Sequence, residues 1–161
     1  MVREERSELG ITFAPEDAAD LHFQPLYQDR FVAILPFKHP LLEQQTLKWI
    51  DLLAYPHLSL QRPAGTRKLI DQALQEKGFL LTPAFESHQL VSIGRMVNEG
   101  LGLSVVPSTS RAQMEEMGLQ CRAISAPVIT HQVGIVTRPQ QALSAAALAM
   151  QQLIRAAVGK P

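Results

Sequence analysis

Short apolar blocks alternate along this chain with stretches whose apolar residues recur at helical spacing, the first predicting strands and the second helices. Leu9-Gly-Ile-Thr-Phe13 is a short apolar run ended by Ala14-Pro15-Glu16-Asp17, which reads as a strand entering a turn. Residues 24–29 and 30–36 form a second extended stretch. In it Phe31, Val32, Ala33, Ile34 and Leu35 make a continuous apolar block, the pattern of a strand covered on both faces. Leu47, Ile50, Leu52 and Leu53 predict a short helix closed by Tyr55-Pro56, and residues 57–61 a brief strand. After a loop at Arg62-Pro63-Ala64-Gly65, Thr66 reads as the N-cap of a helix with Leu69, Ile70, Ala73 and Leu74 on one face. Gly78 falls where a helix C′ glycine belongs.

The same reading predicts a strand over 83–86 and a helix capped by Ser87, with Leu90, Val91, Gly94 and Val97 on one face and Gly100 at its end. A buried strand over 101–106 stops at Pro107, and an amphipathic helix follows over 108–117. Strands at 119–124 and 130–137 lead to a last helix over about 143–158. There Leu143, Ala146, Ala147, Met150, Leu153, Ile154 and Ala157 form a long apolar stripe. Short strands alternating with helices predict an α/β domain with a largely parallel sheet.

Composition narrows the function. The chain has 161 residues, 46% of them hydrophobic and 19% charged, which is enough to bury a core. Lys+Arg and Asp+Glu number 15 each, so the net charge is zero. A module that binds DNA by itself carries a basic excess, because phosphate neutralisation supplies most of its affinity. No nucleic-acid binding by this chain alone is expected. The lone Cys121 allows no internal disulfide, and no apolar run approaches a membrane span. A cytoplasmic protein without signal peptide or membrane contact is the expectation.

Catalytic and metal chemistry find little support. His22, His39, His57, His88 and His131 are scattered, with no pair at ligand spacing, so no metal and no cofactor are expected. Ser104 lacks the following glycine that a nucleophile elbow needs, and reads as a strand serine. Gly100-Leu101-Gly102 is too short for a dinucleotide fingerprint. Two helix starts remain, one after Arg62 and one at Ser87. In open α/β sheets ligands sit at the carboxyl ends of strands, and helix N-termini attract anions. Residue types alone leave two readings open: a ligand site using these hydroxyls and the Arg62 charge, or ordinary caps beside a solvated arginine.

The order of motifs resembles a known family. Leu9-Gly-Ile-Thr, the 26–36 stretch and His39-Pro40-Leu41 are similar to the strand pair and turn of LysR-type effector domains. Asp51-Leu52-Leu53 with His57-Leu58-Ser59-Leu60, and Gly65-Thr66-Arg67 with Ile70-Asp71 and Gly78, resemble the next segments. Glu86-Ser87, Leu90-Val91, Val97 and Gly100-Leu-Gly-Leu-Ser-Val-Val-Pro107 form the most specific piece. The resemblance covers the chain from about Glu8 to about Ala157.

It implies a fold like type 2 periplasmic binding proteins, two Rossmann-like subdomains flanking a ligand cleft. By that analogy residues 1–23 are part of subdomain I, 24–37 a crossing strand and 38–105 subdomain II. Residues 106–161 return to subdomain I with the C-terminal helix. The family begins with a helix-turn-helix and the first strand-helix-strand of subdomain I, so subdomain I is expected to be incomplete here. The implied effector is a small organic anion or polar metabolite held near Thr12, Arg62, Gly65, Thr66, Ser87 and His88. The implied role is small-molecule sensing in a bacterial transcription regulator, with promoter DNA bound by the full-length protein and a homo-oligomer expected. A free-standing solute-binding protein is the alternative, and an enzyme on a related scaffold is a third class without a catalytic constellation.

Overall fold

The computed structural model describes all residues except 1, 3, 5, 16–18, 63, 64, 140, 141 and 159–161. The turn expected at Glu16-Asp17 and the loop at Pro63-Ala64 therefore lie outside the described residues. The chain divides into two compact units, Met1–Asp29 with His131–Pro161, and Arg30–Thr130.

In the first unit, β1 (Leu9–Phe13) pairs antiparallel with the late strand Thr130–Thr137, Leu9 facing Thr137 and Phe13 facing Val133. β2 (His22–Leu35) starts in this unit and ends in the other. The C-terminal helix is Ala145–Val158. Ser144 caps it, its Oγ accepting from the Ala147 N–H at 3.2 Å while its own N–H and hydroxyl donate to the Glu8 carboxylate at 2.8 and 2.7 Å. Of the predicted apolar stripe, Ala147 is buried, but Met150 and Leu153 are 51% and 65% exposed.

The second unit follows with β3 (Thr46–Lys48), α1 (Trp49–Leu53), β4 (His57–Leu60), α2 (Gly65–Gln75), β5 (Phe85–Ser87), α3 (Leu90–Asn98), β6 (Leu103–Pro107), α4 (Arg111–Glu116) and β7 (Gln120–Ala126). The strand Thr130–Thr137 of the first unit is then β8 and its helix α5. The sheet order within the second unit is β3-β7-β2-β6-β4-β5. β2 is antiparallel to both β6 and β7, whereas β3–β7, β4–β5 and β4–β6 are parallel.

The apolar block in β2 explains this architecture. Phe31, Ala33 and Leu35 join one core cluster, Val32 and Ile34 the other. Successive side chains of a strand point to opposite faces, so both faces are covered. Ile70 and Leu74 of α2 with Trp49 and Leu52 of α1 close one face; Ile93 and Val97 of α3 with Met114 of α4 close the other. Trp49 is fully buried and its indole N–H donates to the Pro127 carbonyl at 3.1 Å.

Sequence and structure differ at several boundaries. Three residues before α1 pair with β7 as β3, too short a strand for periodicity to reveal. The 108–117 helix is a 3₁₀ turn, Ser108–Ser110, followed by α4. Pro107 is the last residue of β6 rather than the stop beyond it, and it faces Phe31 of β2. Gly78 does end α2: it donates to the Gln75 carbonyl, and Phe79 to that of Leu74, in the Schellman pattern.

Candidate functional site

β4 and β5 run parallel with Leu60 beside Ser87, and the Gln61 N–H donates to the Ser87 carbonyl at 3.0 Å. The chain therefore leaves both strands side by side, at the carboxyl ends where open α/β sheets bind ligands. α2 begins within five residues of β4, and its free N–H groups carry the positive end of the helix dipole.

The predicted site residues sit around this edge with different exposures. Gly65 opens α2 and Thr66 is one residue inside the helix, buried, instead of at its cap. Ser87 is the last residue of β5, half-buried. It does not cap α3, whose N-cap is Gln89; its Oγ instead accepts from the Gln89 N–H at 3.3 Å, a turn just ahead of the helix. His88 follows, exposed. Arg62 is 68% exposed, and its Nε donates to Asp71 at 2.9 Å, so its charge already has a carboxylate partner. Thr12 belongs to the other unit, exposed on β1, where it lines a groove of about 670 Å³ with Gly10, Ile11, Pro15, Leu21 and Val136.

Three charged residues of the quoted motifs, to which the sequence assigned no role, organise the second unit's side of the site. Arg67 is 4% exposed; its Nε donates to Asp71 at 2.8 Å and its Nη1 to Glu86 at 2.6 Å. Asp71 thus receives both Arg62 and Arg67. The i,i+4 spacing of Arg67 and Asp71 was readable from the sequence; the bond to Glu86 was not. A cavity of about 340 Å³ is lined by Gln61, Arg62, Arg67, Thr82 and Glu86 among others, so of the predicted residues it gathers Arg62 alone. His57, at the start of β4, is buried, and its Nδ1 has no hydrogen-bond partner among the described residues. Burial, then the Arg67 charge, lower its pKa to about 4.

Ser104 is buried and donates to the Leu58 carbonyl at 2.6 Å, a strand serine occupied in joining β6 to β4. Among the described residues no group of three or more His, Cys, Asp or Glu is placed to hold a metal ion, and no helix is long and apolar enough to cross a membrane.

Known proteins resemble this chain in sequence and in fold. The probable RuBisCO transcriptional regulator of Trichormus variabilis is 30% identical over 151 residues, which cover 91% of this chain and 44% of that protein. The HTH-type transcriptional regulator YbhD of Escherichia coli K12 is 29% identical over 141 residues, 88% of this chain and 44% of that protein. The chain thus spans less than half the length of either relative. The regulatory domain of CcmR from Synechocystis PCC6803 has the same fold, with a TM-score of 0.86 at 18% identity over 99% of this chain and 77% of that one. The LysR substrate binding domain family matches residues 1–159. With an α/β sheet covered on both faces and loops converging at the ends of β4 and β5, the chain belongs to that family.

Proposed function

We propose that this LysR substrate-binding domain senses a small organic anion or polar metabolite, held in the second unit by Arg62, Gly65, Thr66, Ser87 and His88. The observation that carries the reading is the Gln61–Ser87 bond, which brings the ends of β4 and β5 together beside the first turn of α2. That edge offers backbone N–H groups, two hydroxyls and an imidazole to a ligand. The Synechocystis domain was solved in complex with 2-PG, which supports a small-molecule occupant.

The sensing domain works as part of a longer transcription regulator whose full-length form binds promoter DNA in the cytoplasm; it is not an enzyme. The relatives are transcription regulators by name, and zero net charge supports leaving DNA contact to another part of the protein. Effector binding shifts the equilibrium between two states of the regulator. Leu148, Met150 and Leu153, about half exposed or more along α5, support a homo-oligomer.

The test is a thermal-shift screen of a small-acid library, followed by titration of each hit. Ser87→Ala and Thr66→Val should weaken a hit roughly tenfold each, as expected for one hydrogen bond lost to a charged group, while the unliganded melting temperature barely moves. Two variants that respond like wild type would place the site elsewhere.

A further inference from the structure

We propose that Arg67 is the positioning residue of the effector site: with Asp71 and Glu86 it fixes the end of β5, and so Ser87 and His88, against the first turn of α2. The proposal rests on the reading of the site given above.

Its basis is geometric. Arg67 follows Thr66 in the first turn of α2, and Glu86 precedes Ser87 in β5. One guanidinium spans the two elements, donating Nη1 to Glu86 at 2.6 Å and Nε to Asp71 at 2.8 Å. Asp71 lies on α2 itself and also receives Arg62 from the loop after β4. The three pieces of chain that carry Arg62, Gly65–Thr66 and Ser87–His88 are therefore tied to one buried cation.

The arrangement suits a positioning role better than a ligand contact. Arg67 is 4% exposed, and its fork is committed to two carboxylates. Arginine holds two carboxylates at a fixed angle because its guanidinium is planar; a lysine ammonium is a point charge and cannot. A buried charge also resists removal from its partners, since separation leaves it uncompensated. β5 is three residues long and pairs with β4, so its own ladder holds it weakly. The side-chain bridge from α2 supplies the missing constraint on where Ser87 stands.

The experiment is amide hydrogen exchange on the whole chain, wild type against Glu86→Gln, Asp71→Asn and Glu86→Asp. The Gln61 amide reports the site, because it donates to the Ser87 carbonyl. The Leu103 amide is the control, because it donates to Pro56 on the other side of β4. Glu86→Gln and Asp71→Asn should speed exchange at Gln61 by roughly tenfold with Leu103 unchanged, the loss expected for a charged hydrogen bond acting locally. Glu86→Asp, which keeps the charge, should restore slow exchange. Unchanged exchange at Gln61, or an equal rise at Leu103, overturns the proposal: the network would then do nothing local, or would only stabilise the unit. Titration of the same variants with 2-PG is a separate arm. It tests the effector reading, and its outcome leaves the exchange comparison intact.

Discussion

His57 enters the sheet as the first residue of β4, 3% exposed, its ring centroid 6.5 Å from that of Trp49. Desolvation comes first among the causes that lower its pKa from 6.5 to about 4, and the Arg67 charge second. The folded chain binds this proton less readily than the unfolded chain. Stability is therefore undiminished above pH 6.5 and falls as pH drops from there toward 4, by about 3 kcal/mol in all. An NMR titration should find the His57 ring neutral down to about pH 4 and its midpoint raised in Arg67→Met; a wild-type midpoint near 6.5 would contradict the burial. His131 is shifted in the same direction by burial and opposed by Asp29, 3.8 Å away, so Asp29→Asn should lower the His131 midpoint further. Such groups show where single positions stop being readable from sequence. Thr66 and Ser87 have the residue types of caps, and both stand near helix starts, but the helices begin one residue before Thr66 and three after Ser87. Arg67 stands in the sequence only as part of the Gly65-Thr66-Arg67 motif, with no role of its own. Its burial depends partly on Glu86, nineteen positions away, which no local pattern connects to it.

Elements were more readable than positions wherever packing and local signal agreed. β8 spans the predicted 130–137, and the block in β2 proved buried on both faces. α2 and α3 also formed, because their apolar faces meet the sheet: Leu74 of α2 is fully buried, and Leu74→Ala should cost about 2–5 kcal/mol in urea unfolding, the range for emptying a packed core site. Two glycines separate a backbone constraint from a side-chain one. At Gly102, φ is +155°, and a Cβ would stand 2.3 Å from the Pro56 carbonyl oxygen, which also accepts the Leu103 N–H at 3.0 Å. That backbone cannot give way without losing the strand contact, so Gly102→Ala should cost about 3 kcal/mol or more. At Gly94, inside α3, a Cβ would meet the ends of Met117 and Met114 at 2.9 and 3.0 Å. Methionine ends move easily, and alanine favours helix by about 1 kcal/mol over glycine. Gly94→Ala should therefore stay within about 1 kcal/mol of wild type by the same measurement; equal losses at the two sites would show that the Met114–Met117 layer is as unyielding as backbone. The glycine motif was recognisable as a pattern, but the close approach of Pro56 that requires it exists only in the folded chain.

Both core clusters lie wholly within Arg30–Thr130, the unit built on the two-faced block of β2. The other unit is organised differently. Its β1–β8 pair buries Val133, Ile135 and Val136, while α5 buries Ala147 and leaves Leu148, Met150 and Leu153 46%, 51% and 65% exposed. The apolar stripe of α5 was plain in the sequence, but a stripe says that a face seeks cover and not how much of it this chain covers. Buried apolar area is the main source of stability, at roughly 25 cal/mol per Å², and regions with few buried contacts open at lower free energy than the global transition. Amides of β1 and α5 should therefore exchange through openings that leave β2, β4 and β6 protected, and low denaturant should lower the first unit's opening energy before the second unit's. A hydrophobic dye should bind the chain under native conditions and lose fluorescence in Leu153→Gln and Met150→Gln, variants that place polar groups on the exposed face of α5. The measurement is native-state hydrogen exchange across a denaturant series, with dye binding alongside. One cooperative transition that merges the amides of β1, α5 and β4 at a single free energy would show that the first unit is as well supported as the second, and that the exposed residues of α5 leave its stability untouched.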